Sequence, residues 1–171
     1  MLQRSIDLAH QVSGDDVIVV LGCYADSLRQ QHQHNTCKFL VNEDWSNGMG
    51  SSLACASAEL ASKHNAENGL LVLLADQVDV EIADLQALVA KWLEQPECAV
   101  AASHTNTIGP PAIFPARLLE SLAGLSGNEG AKAILQREGS QTRTVDMPNA
   151  ALDIDTVDDL EQHLKAKKSA H

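Results

Sequence analysis

Short apolar runs alternate along this chain with stretches whose apolar residues recur every three or four positions, the order of a domain built from alternating strands and helices. The run Val17–Leu21 (VIVVL) is β-branched and continuously apolar, as a strand covered on both faces must be. Gly69–Ala75 (GLLVLLA) is the best buried strand of the chain, and Asp76 follows it directly. Cys37–Val41, Ala99–Ser103, Pro110–Phe114 and Thr142–Asp146 read as further extended segments, the last of them edge-like. Helices are predicted over Ser5–Val12, Asp26–His32, Ser51–His64, Ile82–Leu93, Pro115–Ala123, Gly130–Glu138 and Val157–Lys167. The pattern predicts one α/β domain over residues 1–164 and a disordered tail over 165–171.

The length of 171 residues and a hydrophobic fraction of 44% suit one domain with a sizeable core. Twelve basic against 23 acidic residues give a formal charge of −11. That balance argues against a nucleic-acid surface, which needs clustered Lys and Arg. A nucleotide can still bind if a divalent cation, backbone N–H groups or a few basic side chains are placed to receive it. No apolar run approaches the roughly 18 residues of a membrane span, and the first residues lack a signal-peptide core. The expectation is therefore a cytoplasmic protein. Cys23, Cys37, Cys55 and Cys98 are scattered, without metal-ligand spacing, and read as reduced and structural.

Four segments could carry chemistry. Asp76 ends a buried strand, where open α/β sheets bind ligands, and could hold Mg²⁺ or simply cap the turn that follows. The loop Asn42–Leu53 contains Gly48, Gly50, Ser51 and Ser52. Its serines are expected at a helix N-cap, where free N–H groups can meet an anion or a base edge, although such loops often only turn the chain. Gly127–Lys132 includes Gly130 and places Lys132 in a first helical turn, either facing a phosphate or merely solvated. Thr156 with Asp159 makes a capping box, which leaves Asp153 and Asp155 unexplained; two same-sided carboxylates are costly unless a cation or a basic group sits between them.

Taken in order, the runs VIVVLG, NEDWSNGMGSSL, LLADQVDV, GPPAIFPARLLESLAGLSGNEGAKAIL and DIDTVDDL resemble the molybdenum cofactor cytidylyltransferase and guanylyltransferase family, from about Val17 to Leu164. The Ala-Asp-Gln wording is closer to the cytidylyl branch. The resemblance implies a Rossmann-like nucleotidyltransferase fold, a three-layer sandwich on a mostly parallel sheet. It implies a reaction in which a molybdopterin phosphate attacks the α-phosphate of CTP, in preference to GTP, and releases pyrophosphate. It further implies Mg²⁺ on Asp76 with Asp153 or Asp155 as second carboxylate, Lys132 as a catalytic cation, and Gly48 to Ser52 on the nucleobase and ribose side. Gly109 to Phe114 and Gly127 to Lys132, Gly130 among them, would border the pterin. The product would serve a molybdoenzyme of the xanthine dehydrogenase type.

Two departures accompany the resemblance. The family opens with a strand and a loop of the form Leu-Ala-Ala-Gly-x-Ser-x-Arg-Met-Gly-x-x-Lys, to which nothing in Met1–Gly14 corresponds. Asn128 stands where Asp is usual. Without the first strand, β-edges on VIVVL and GLLVLLA should border a slot, and transfer activity should be weak or absent. The alternatives are a non-catalytic molybdopterin-binding or chaperone module, or another nucleotidyltransferase on the same fold.

Overall fold

The computed structural model describes residues 1–61, 69–126 and 129–169. The elements run α1 (Leu2–Ser13), β1 (Ile18–Leu21), α2 (Ala25–Gln31), β2 (Lys38–Val41), α3 (Met49–Ala61), β3 (Gly69–Val72), α4 (Ile82–Leu93), β4 (Ala99–His104), β5 (Thr107–Pro115), α5 (Leu119–Ala123), α6 (Ala131–Glu138), β6 (Thr142–Asp146) and α7 (Val157–Ser169). The α/β class predicted from the pattern holds.

Alternation along the strands assigns the layers, because residues two apart share a face. Ala99, Ala101, Ala112 and Phe114 pack with Leu119 and Leu122 of α5, Ile134 and Leu135 of α6, and Leu53 of α3. Val100, Ala102 and Ile113 point the other way, onto Leu85 and Leu88 of α4 and Leu8 of α1. A third cluster joins Ile6 of α1 to Val17, Val19, Leu21 and Cys37. Helix α1 thus puts Leu8 in one core and Ile6 in another, and bridges them.

The expected mostly parallel sheet is corrected. The strands form a parallel pair, β1–β2, and a mixed sheet of order β3-β5-β4-β6. In the mixed sheet β5 is antiparallel to both β3 and β4, and only β4–β6 is parallel. The cause is local. Thr105 and Asn106 both adopt positive φ, 47° and 64°, and His104 pairs with Thr107 across them. A two-residue turn of that kind makes β4–β5 a hairpin and fixes its antiparallel sense. The sequence reading missed it because Thr-Asn is not the usual Asn-Gly signal and because Gly109-Pro110-Pro111 reads as a break.

Among the described residues β1 hydrogen-bonds only β2, and β3 only β5. The edges expected to flank a slot therefore do not close on each other. Of the expected tail, residues 165–169 continue α7, and residues 170 and 171 lie outside the described residues. Lys165 lies 3.5 Å from Glu161 and Lys167 lies 2.6 Å from Asp79, so residues expected to be disordered have partners in the helix and in the loop beneath it. No helix among the described residues is long and apolar enough to cross a membrane.

Candidate functional site

Sheet direction gathers the acidic segments at one end. Val72 pairs with Ala112, so the chain beyond β3 runs past Pro110 and Gly109 before it turns at Asp76. The same end receives the C-terminal ends of β4 and β6, since Ser103 pairs with Asp146. Beyond β6 the Met147 amide donates to the Ser103 carbonyl (2.9 Å), and a single-turn 3₁₀ segment, Pro148–Ala151, brings the chain back over Asp76. There the Ile154 amide donates to the Asp76 carbonyl at 3.1 Å. Ile154 is buried, and Asp153 and Asp155 on either side of it are exposed, as alternation in an extended segment requires.

Asp76 is the electrostatically unusual member. Burial pushes its carboxyl above the ordinary aspartate range, and the charges of Asp153 and Asp155 push it in the same direction; the N–H groups of Asp76 itself and of Gln77 counter this in part. Its Oδ1 is buried and has no hydrogen-bond partner among the described residues. A half-buried carboxylate with an unanswered oxygen and two more carboxylates within electrostatic reach is a donor set that suits a hard divalent cation. No three His, Cys, Asp or Glu side chains among the described residues form a ready-made cage. A cation here would therefore complete its shell with water and ligand oxygens, as Mg²⁺ commonly does.

The Gly48–Ser52 loop is organised by a residue that motif reading quoted but did not single out. Asn42 is buried, and its Nδ2 donates to Ser51 Oγ (2.8 Å) and Ser52 Oγ (3.0 Å), while its Oδ1 accepts from the Asp44 amide (3.0 Å). The serines are not the N-cap. Helix α3 begins at Met49, after Gly48 at φ 102°, so Ser51 and Ser52 are its third and fourth residues. Their hydroxyls answer Asn42, and Ser51 Oγ also lies 2.8 Å from the Gly48 carbonyl. Gly48 needs to be glycine because its φ excludes a side chain at low cost. An open groove of about 800 Å³ runs beside this loop, lined by Asn42, Asp44, Asn47, Ser51, Cys55 and Leu125 among others. Among the described residues no hydrogen bond or ion pair joins this loop to Asp76.

Lys132 is the second residue of α6 and is exposed; its Nζ donates to Thr107 Oγ1 at 2.8 Å. It pairs with no carboxylate among the described residues, so its charge is unspent at the hairpin end of the sheet. Gly109 is buried in β5 opposite Ala102, and Gly130 precedes α6; a methyl group at either would meet open space. Neither glycine is there to let a neighbour approach. Gly127 and Asn128 lie outside the described residues. The capping box is present: the Thr156 amide donates to Asp159 Oδ2 (2.9 Å), and the Asp159 amide donates to Thr156 Oγ1 (3.1 Å). The hydrogen bonds from Thr156 hold the Asp159 carboxyl below its ordinary range.

Residues 1–145 match the family of the MobA-like NTP transferase domain. Nicotine blue oxidoreductase of Paenarthrobacter nicotinovorans is 26% identical over 155 residues, 85% of this chain and 73% of that protein. Among solved structures, the manganese complex of Rv0371C from Mycobacterium tuberculosis superposes with a TM-score of 0.76 at 24% identity, covering 96% of this chain and 86% of that one. Molybdopterin-guanine dinucleotide biosynthesis protein A from Archaeoglobus fulgidus superposes at 0.60 with 15% identity, over 95% of this chain and 88% of that one. At these identities the two structures speak for the fold.

Proposed function

This chain belongs to the MobA-like NTP transferase domain family, and from that membership we propose that its site serves nucleotidyl transfer from CTP, in preference to GTP, to a molybdopterin phosphate. A bond forms between an oxygen of that phosphate and the α-phosphorus of the nucleotide. The bond from that phosphorus to the β-phosphate bridge breaks, and pyrophosphate leaves. The observation that carries the reading is the buried Oδ1 of Asp76 at a strand end, without a partner among the described residues and with Asp153 and Asp155 within electrostatic reach. Asp76 would hold a divalent cation there, with Asp153 and Asp155 beside it. The manganese of the Rv0371C complex supports a divalent ion, and we take Mg²⁺ as its ordinary identity. Such an ion supplies charge neutralisation on phosphate oxygens.

The protein's own work is positioning. Lys132 offers its unspent charge to a phosphate or to the pterin side, which Gly109 and Gly130 border. The N–H groups at the start of α3, from Gly48 to Ser52, face the base and ribose. The 171 residues do not include the Arg- and Lys-bearing loop of the resemblance, so turnover by them alone is expected to be low. The reaction belongs to the cytoplasm, and its product to a molybdoenzyme of the xanthine dehydrogenase type. The oxidoreductase name of the Paenarthrobacter relative is a reminder that the fold by itself does not choose the reaction.

Titration calorimetry with CTP and GTP, with and without Mg²⁺, tests the proposal. Mg²⁺-dependent CTP binding that is lost in Asp76→Asn is expected. Metal-independent nucleotide binding, or none, refutes it, and pterin binding without nucleotide would favour a carrier module instead.

A further inference from the structure

The Asp153–Asp155 segment and the Asp76 turn are far apart in sequence, so something must fix their separation. Two contacts do so directly. One is the backbone bond from Ile154 to the Asp76 carbonyl. The other comes from the neighbouring side chain. Gln77 is buried, with 6% exposure, and its Nε2 donates to the Pro110 carbonyl at 3.0 Å and to the Ala150 carbonyl at 3.0 Å. Both amide hydrogens are thereby used, one on β5 and one on the turn that leads to Asp153.

The orientation of that amide follows from chemistry. Two carbonyl oxygens converge on one group, and only the NH₂ end can answer both. Its Oε1 is left buried and without a partner among the described residues. The void beside Gln77, lined by Ser5, Leu8, Leu73, Leu74, Val80 and Pro111, is about 10 Å³, no more than one water-sized space. A buried acceptor without a partner costs about 1–3 kcal/mol. An apolar side chain of similar length would remove that acceptor but would take the Gln77 donors away from the carbonyls of Pro110 and Ala150. The two donated bonds, worth about 0.5–1.5 kcal/mol each, offset that cost and tie β5 to the turn that leads to Asp153.

We infer that Gln77 is a positioning residue: its side-chain amide clamps the 150–155 segment onto the Asp76 turn and so sets the spacing of Asp76 from Asp153 and Asp155. The inference rests on the metal-binding reading of those carboxylates, but the clamp can be tested without it.

The test uses the full chain with Gln77→Met, which keeps length and removes both donors, and Gln77→Glu, which turns them into acceptors. Hydrogen exchange at the Ile154 amide reads the clamp, and calorimetric titration with Mn²⁺ alone reads its consequence. Exchange at Ile154 should rise at least about tenfold, and Mn²⁺ affinity should fall by about 10- to 100-fold, as for residues that orient metal ligands. In an Asp153→Asn/Asp155→Asn background, Gln77→Met should weaken Mn²⁺ no further, which a general loss of structure would not reproduce. Unchanged exchange at Ile154 overturns the clamp; faster exchange with undiminished Mn²⁺ affinity overturns its role in positioning. If exchange rises but the unsubstituted chain binds no Mn²⁺, the clamp stands and the metal-binding reading fails. Should neither variant fold, the unsubstituted chain decides. Both Gln77 side-chain amide hydrogens must exchange far more slowly than those of the exposed Gln30, and equal rates overturn the proposal.

Discussion

Replacing Asp76 by Asn should make the protein more stable and less able to bind metal. The native carboxyl titrates above its unfolded value of about 3.9 because burial and the charges of Asp153 and Asp155 disfavour ionisation. Its contribution to stability is therefore fully present below the unfolded value and is lost as pH rises through the raised folded value, so at neutral pH the ionised group is a liability. Asparagine keeps a polar atom at that place but carries no charge, so what it relieves is the cost of ionising a half-buried carboxyl beside two others. Relief of even about 1 kcal/mol would raise Tm by roughly 2–4 °C in a protein of this size. Saturating divalent cation works the other way round. At about 100 times Kd it would stabilise the unsubstituted chain by about 2.7 kcal/mol, or roughly 5–11 °C, and the Asn variant hardly at all. Calorimetric scans at pH 7 in chelator and in Mn²⁺ measure both effects, and a scan near pH 4 should show the advantage of the variant shrinking. An Asn variant that melts lower in chelator, or that keeps the full Mn²⁺ shift, would refute the electrostatic reading of this site.

Three further outcomes follow from the geometry. The β4–β5 turn holds Thr105 at φ 47°, unfavourable for a β-branched residue, so Thr105→Asn with Asn106→Gly should raise the urea midpoint by the equivalent of about 1–3 kcal/mol. A methyl group at Gly22 would lie 2.7 Å from Trp45 Cβ, so Gly22→Ala should cost about 1–3 kcal/mol and alter Trp45 fluorescence. Asp79 is 3.1 Å from His163 Nε2 and 2.6 Å from Lys167 Nζ, so Asp79→Asn should speed amide exchange across α7 while leaving exchange in α4 unchanged.

The sequence by itself determined what short-range physics controls. The β-branched run at Val17–Leu21 became β1, the three-to-four spacing over Ile82–Leu93 became α4 at the predicted limits, and Thr156 with Asp159 formed the capping box. It also marked Asp76, Asp153 and Asp155 as carboxylates in need of an explanation. Tertiary structure decided the rest, because the deciding energies act between segments far apart in the chain. The sense of β5 depended on two residues at positive φ, a backbone state that Thr105 does not advertise. The roles of Asn42 and Gln77 depended on which oxygens faced them, Ser51 and Ser52 in one case and the carbonyls of Pro110 and Ala150 in the other. A polar side chain reads alike in sequence whether it is solvated or buried, and only packing tells the two apart.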